Sequence, residues 1–212
     1  MLIDRASLWF TGTNAYVVAD GPGLPALIVD APPDPEAVLS LVTRHDLVPV
    51  ALLVTHGHVD HMGGAASLVD GTAVTAYMHP DDDWLARDPE SQLRALFGGD
   101  LPGTVDPLTV YQPLADGQLL ELAPTVEVLH TPGHTPGHCC FLVGETLFSG
   151  DQLFAGGIGR TDLPGGDYGT LMESMAEILK LSEHTEVLPG HGPSTTLAHE
   201  RRSNPYLQDL IE

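Results

Sequence analysis

Val50-Ala51-Leu52-Leu53-Val54-Thr55-His56-Gly57-His58-Val59-Asp60-His61 places an apolar, β-branched run directly before three imidazoles and a carboxylate. The run predicts a buried strand over Val50–Val54, because a short continuous apolar stretch bounded by polar residues fits a strand covered on both faces. A loop leaving such a strand can turn alternate side chains inward, so that His56, His58 and Asp60 converge with His61 beside them. Neutral imidazole and carboxylate are ligands for borderline or hard divalent cations, with zinc bonds of roughly 2.0–2.2 Å. A solvated polar loop with His61 opening a helix is the plainer alternative. Four ligand-type residues delivered together by one buried strand argue against it.

Three more residues occupy the same kind of position. His134 lies in His130-Thr131-Pro132-Gly133-His134-Thr135-Pro136-Gly137-His138, after a strand predicted to end near Leu129. Asp151 follows Leu147-Phe148-Ser149-Gly150, and His191 follows Val187-Leu188-Pro189-Gly190. Each is preceded by a glycine, which allows close backbone approach at a strand end. Ligands at four strand ends match the placement of sites outside the strand termini of α/β sheets. Seven ligands exceed the four of one tetrahedral zinc and suit two cations sharing a carboxylate. With Asp60 assigned to the first loop, Asp151 is the remaining carboxylate for the shared position. His130 and His138 read as supporting residues, and His45, His79, His184 and His199 as ordinary histidines.

Working outward, strands are predicted at Leu8–Phe10, Ala15–Ala19, Leu24–Val29, Ala73–Tyr77, Leu119–Leu122, Val126–Leu129, Cys139–Val143, Thr146–Phe148 and Glu186–Leu188. Asp34-Pro35-Glu36 opens a helix to about His45, with Asp34 as N-cap and Pro35 at the first helical position. His61–Val69 reads as helical despite Gly63 and Gly64. Tyr168–Leu181 is a second long helix, with Thr170 and Glu173 at capping-box spacing and Asp167 as the competing cap. Leu197–Arg202 is a short one. Pro80–Gly103 combines a short helix with an acidic, Gly/Pro-punctuated stretch and is the segment expected to be most mobile. No linker, repeat or low-complexity tract divides the chain, so residues 1–212 are taken as one layered α/β domain. A TIM barrel would need about 250 residues and eight regular βα units.

Against 29 Asp and Glu stand 8 basic residues, for a formal net charge of −21. Binding to nucleic acid or to an anionic membrane surface relies on Lys and Arg, so neither partner is expected. No apolar run is long enough to cross a bilayer, and the start of the chain lacks a secretory pattern. A cytoplasmic location is the expectation. Cys139 and Cys140 are adjacent, which disulfide geometry hardly tolerates, and are read as buried reduced thiols.

Thr55–His61, His130–His134, Ser149-Gly150-Asp151 and Pro189–Pro193 occur in the order found in the metallo-β-lactamase fold superfamily, and the chain most resembles its glyoxalase II-like, short single-domain hydrolases. The resemblance runs from Thr13-Asn14-Ala15-Tyr16 to Ser203-Asn204-Pro205-Tyr206-Leu207. It implies a four-layer αβ/βα sandwich with metals at one sheet edge. Carried over position by position, it implies that His56, His58 and His134 bind one metal, that Asp60, His61 and His191 bind a second, and that Asp151 bridges them. Two divalent ions are implied, zinc ahead of iron or manganese. His61 stands where true β-lactamases of one subgroup place Arg, and the missing export pattern also argues against antibiotic hydrolysis.

A metal pair about 3.5–4 Å apart can hold a bridging hydroxide at neutral pH, and its attack on a carbonyl would be oriented by Asp60 as the catalytic carboxylate. A thiolate leaves unprotonated because thiol pKa values lie near 8.5, so the expected substrate is a small-molecule thioester such as S-lactoylglutathione. Glyoxalase II enzymes proper continue into a helical domain that helps bind glutathione, whereas this sequence stops at Glu212. Arg160, in Gly156-Gly157-Ile158-Gly159-Arg160-Thr161-Asp162, is the replacement substrate-binding cation or else a structural partner of Asp162. The Gly159–Asp162 segment is also similar to persulfide dioxygenases, in which one iron would take His56, His134 and Asp151. A lactonase, a nuclease (disfavoured by charge) and a metal-binding module without activity complete the alternatives.

Overall fold

The alternation of buried residues along the strands sorts the side chains onto three separate cores. The structure is a computed structural model, and it describes residues 1–98, 103 and 105–210. In chain order the first half comprises β1 (Leu2–Leu8), β2 (Thr13–Ala19), β3 (Pro25–Val29), α1 (Pro35–Arg44), β4 (Val48–Leu53), α2 (Val59–Met62), α3 (Ala65–Thr72), β5 (Thr75–Met78), α4 (Asp83–Ala86), α5 (Pro89–Phe97) and β6 (Gln112–Pro113). The second comprises β7 (Leu119–Leu120), β8 (Val126–His130), β9 (Cys139–Val143), β10 (Thr146–Gly150), β11 (Leu153–Phe154), β12 (Gly157–Ile158), α6 (Tyr168–Ile178), β13 (Glu186–Pro189), β14 (Thr195–Thr196) and α7 (Leu197–Ser203).

One sheet runs β1-β2-β3-β4-β5-β6 and the other β14-β13-β10-β9-β8-β7, with β11-β12 as a separate ribbon. Tyr16, Val18, Leu27, Val29 and Leu53 of the first sheet meet Val128, Phe141, Val143 and Phe148 of the second. The intervening residues Val17, Ile28, Leu52 and Val54 turn the other way, onto Val38 and Leu41 of α1 and Leu68 of α3. Cys140, Leu147 and Val187 likewise face Leu171, Met175 and Ile178 of α6. The result is helix, sheet, sheet, helix, the expected four layers. The same period of two sends Cys139 to the core between the sheets and Cys140 to the helix side. Both are free and buried, and burial pushes both thiols up, Cys140 to about 12.

Caps fall where local chemistry puts them. Asp34 accepts from Ala37 N–H at 3.2 Å with Pro35 in the first turn, and Asp167, rather than Thr170, caps α6. Three expectations are corrected. The first strand ends at Leu8, because Trp9 takes a positive φ of 59° and turns the chain back toward β2. The helix expected over His61–Val69 breaks into α2 and α3, since Ala31 N–H donates to His61 O and Gly64 N–H to Ala31 O, drawing a neighbouring loop against the Gly63-Gly64 pair. The stretch from Pro80 to Phe97, expected to hold one short helix, is a 3₁₀ turn followed by two helices, α4 and α5. Of the remainder of that stretch, residues 99–102 lie outside the described residues. No helix among the described residues is long and apolar enough to cross a membrane.

The two sheets are stitched together at one edge. Asn14 N–H donates to Gly190 O at 2.7 Å, the Asn14 side chain to Pro189 O at 2.9 Å, and the Tyr16 hydroxyl to Pro189 O at 2.6 Å. The ends of β4, β10 and β13 and the loop after β8 converge there.

Candidate metal centre

All seven expected ligands stand at that edge. The donor atoms of His56, His58 and His134 lie within 4.8 Å of one another, and so do those of Asp60, His61 and His191. A third group, His56, His61 and Asp151, joins the two. Asp151 Oδ1 is 3.3 Å from His61 Nε2, and its Oδ2 is 3.6 Å from His134 Nε2 and 3.5 Å from His191 Nε2. Asp60 Oδ2 lies 3.3 Å from His191 Nε2 and 3.7 Å from His61 Nε2. His56, His58, His61 and His134 are buried, whereas Asp60 and His191 are half-buried at the cleft mouth.

Three of these imidazoles, His56, His61 and His134, have the nitrogen facing away from the centre engaged. His61 Nδ1 donates to Asp30 Oδ2 at 2.8 Å, and His134 Nδ1 to Arg160 O at 2.7 Å. The Thr55 hydroxyl donates to Asp30 Oδ2 at 2.9 Å and so accepts from His56 Nδ1 at 3.0 Å. One buried carboxylate, Asp30, therefore sets the tautomer of a histidine in each group, directly for His61 and through Thr55 for His56. Such outer partners leave the inward nitrogen with its lone pair and hold the ring still. Asp151 is supported from its backbone, whose N–H donates to His138 Nε2 at 3.1 Å while His138 Nδ1 bonds Thr131 Oγ1 at 2.9 Å.

Charge is distributed unevenly. Burial, reinforced by neighbouring imidazoles, pushes His56 well below its ordinary value and His58 down to about 3, so both are neutral donors. Burial opposes charge on His61 too, but Asp151, Asp60 and Asp30 more than offset it and raise it well above its ordinary value, so a cation taken up at Nε2 has to displace a proton there. Burial raises Asp60 and Asp151, yet the surrounding histidines outweigh it, leaving Asp60 at about 2 and Asp151 depressed. The donor set fits a pair of divalent ions. His56 Nε2 and Asp151 Oδ1 are buried without a hydrogen-bond partner, and His58 Nδ1 faces His134 Nε2 at 2.9 Å. Buried polar atoms normally find partners, so this inward convergence of donors calls for cations.

The glycines before the ligands are required where packing is tightest. Gly150 has φ +49° and a Cβ there would sit 2.7 Å from His138 Nε2, while one on Gly190 would meet His61 Cε1 at 2.6 Å. Arg160 lines the cleft, but its guanidinium forms a bidentate pair with Asp162 at 2.7 and 2.7 Å, and its carbonyl holds His134.

Sequence reasoning missed four supporting side chains. Asp30 ends the apolar run Ala26–Val29, a carboxylate at a buried strand end that could have been singled out. Asp82 accepts from Gly57 N–H, Gly137 N–H and the Thr135 hydroxyl, each at 2.7 Å, tying the first ligand loop to the second. Gln92 of α5 accepts from Val59 N–H at 3.0 Å, and the Thr13 hydroxyl donates to Asp60 Oδ2 at 2.9 Å. Nothing local marks these three. His79, Asp81 and His130 also approach one another, but the two rings stack at 3.9 Å and 6°, so their lone pairs do not converge.

A model of the metallo-beta-lactamase superfamily matches residues 8–191. Hydroxyacylglutathione hydrolase GloC of Haemophilus influenzae is 38% identical, over 86% of this chain and 87% of that protein. Among solved structures, the BLEG-1 B3 metallo-beta-lactamase superposes with a TM-score of 0.89 at 36% identity, covering 97% of this chain and 99% of the other. TTHA1623, in a di-iron-bound form, superposes at 0.86 and 40% identity, covering 96% and 100%.

Proposed function

Because the chain belongs to the metallo-β-lactamase superfamily, whose members are metal-dependent hydrolases, we propose that it hydrolyses the thioester of an S-acyl thiol, S-lactoylglutathione or a related conjugate. The observation that carries this reading is the pair of donor groups sharing Asp151, with His56 Nε2 and Asp151 Oδ1 left without partners. Two divalent ions, zinc first among the candidates, would be held by His56, His58 and His134 on one side, by Asp60, His61 and His191 on the other, and by Asp151 between. When bound, such ions supply a water acidic enough to ionise near neutral pH and an electrophile for the acyl oxygen.

The chain's own residues do the rest. Asp60, pinned by the Thr13 hydroxyl, presents a carboxylate at the cleft mouth that orients the attacking water as a hydrogen-bond acceptor. Asp30 and Thr55 keep His56 and His61 in one orientation, so little reorganisation accompanies the reaction. A thiolate departs without a proton, so a thioester needs no general acid, and the described residues lining the cleft include no lysine or tyrosine that would serve as one. The cleft, about 450 Å³, suits a small molecule.

The test is a panel of S-lactoylglutathione, other S-acyl thiols, an acyl lactone, a β-lactam and glutathione persulfide, assayed on protein loaded separately with zinc, manganese and iron. Turnover of thioesters ahead of the rest, with two equivalents of metal, is the expected result. A single iron with oxygen uptake on the persulfide would replace hydrolysis by oxidation.

A further inference from the structure

A second cavity, of about 220 Å³, adjoins the metal cleft and shares His58, Leu96 and Leu163 with it. Trp84 and Leu85 of α4 and Ala95 of α5 supply much of its remaining wall. The polar residues around it are already engaged. Asp88 caps α5 by accepting from Ser91 N–H at 3.1 Å, and the Gln92 amide donates to Leu85 O at 2.8 Å and Gly57 O at 3.0 Å. What remains for a ligand is aliphatic and indole surface, with Trp84 still 48% exposed. Among the described residues no lysine or arginine lines this cavity, and the one arginine lining the metal cleft, Arg160, is paired with Asp162. With a net charge of −21, these walls offer little to a thiol carrier bearing two carboxylates and much to an alkyl chain.

We propose that this cavity receives the acyl chain of the substrate, so that the preferred substrates are S-acyl thiols with an unbranched aliphatic acyl group. At ~30 Å³ per heavy atom, the share of one water in the liquid, the volume takes about six to eight carbons. The thioester carbon then lies on the His58 side of the donor cluster, and the thiol carrier extends past Arg160 toward solvent. The proposal rests on the thioester reading of the metal centre and narrows its substrate class, away from S-lactoylglutathione and toward alkyl acyl groups on a less anionic thiol. The helices that form the wall are also tied to the centre, because Gln92 holds the backbone on both sides of His58.

The decisive experiment measures kcat/KM of the metal-loaded protein on S-acyl-N-acetylcysteamine thioesters from acetyl to decanoyl. An increase of about fourfold per methylene is expected, levelling near octanoyl. Ala95→Phe, which fills the cavity from α5, should reduce the octanoyl-to-acetyl ratio at least tenfold. Independently of turnover, S-octyl-N-acetylcysteamine, a thioether that cannot be hydrolysed, should shift tryptophan emission to the blue, and Trp84→Phe should abolish that shift. Thioester turnover that is flat or falling with chain length, or a ratio unchanged in Ala95→Phe, would overturn the acyl-chain assignment. Absence of turnover on every thioester would instead defeat the proposed function, and the emission shift would still decide whether the cavity takes an alkyl chain.

Discussion

Between His56 and His61 four donors leave one strand within six residues, whereas His134, Asp151 and His191 come from three separate loops of the other sheet. The first set is spaced by its own backbone, as a turn after β4 running into α2. The second is spaced by how two sheets sit on each other, and that registration depends on long-range bonds. Asp82 ties Gly57 to Gly137, and Asn14 and Tyr16 tie β2 to the residues before His191. Half of the centre is thus a local device and half is a product of assembly, and the two should fail differently.

The largest effect is expected at the residue that both groups share. Asp151→Ala should reduce turnover to background and bound metal from two equivalents to one or fewer by elemental analysis. A variant that keeps both ions and its activity would remove Asp151 from the shared position. Next comes the tie between the regions. Asp82→Ala leaves three buried donors without an acceptor, for a destabilisation of about 3 kcal/mol or more in urea unfolding. A loss under about 1 kcal/mol would show that water replaces the carboxylate and that the sheets hold register without it.

Asp30→Asn separates the histidine groups more finely. His61 loses its carboxylate partner outright, while His56 keeps Thr55, so metal affinity should fall about 10–100-fold in chelator competition, chiefly at the Asp60, His61 and His191 group. Equal loss at both groups would mean that Thr55 transmits the change in full.

Tyr16→Phe is the gentlest change. Losing the bond to Pro189 O should cost about 1 kcal/mol. Burial raises the Tyr16 phenol from 10.0 to about 12, so the folded protein keeps a proton that the unfolded chain releases. Its contribution to stability is complete below pH 10 and is lost as pH rises toward 12, by about 2–3 kcal/mol in all. Stability of the parent should therefore fall more steeply than that of Tyr16→Phe across this window. Parallel slopes in urea unfolding would show that the phenol is not the group responsible.

The comparison also explains what could be read in advance. Val50–Val54 and Thr55–His61 were legible because an apolar run, a strand end and the ligands are contiguous. His134, Asp151 and His191 were legible one at a time, each marked by a glycine after an apolar strand, although nothing in their spacing places them around one point. Asp30 carried a faint signal at the end of Ala26–Val29. Asp82, Thr13 and Gln92 carried none, since an aspartate in an acidic stretch, a threonine after a turn and a glutamine on a helix are ordinary until a distant backbone N–H or carboxylate arrives beside them. Pro80–Phe97 was legible only in part for the same reason. Its proline and acidic content suggested one short helix, but Gln92 anchors a second, α5, to the first ligand loop and Asp88 caps it. The break between α2 and α3 was likewise invisible, because Ala31 causes it from another part of the chain.

The sequence by itself determined which residues have the chemistry to hold a cation, that they follow strands, and that the apolar runs of those strands must be buried. Those properties are local: residue type, an unbroken apolar run, and the backbone freedom of glycine. Only the tertiary structure decided which donors share a space, which carboxylate orients the imidazoles, and that an apolar chamber opens beside them. Each of these requires groups far apart in the chain to be desolvated together, and the cost of burying a charge or a polar atom unpaired then selects the partners.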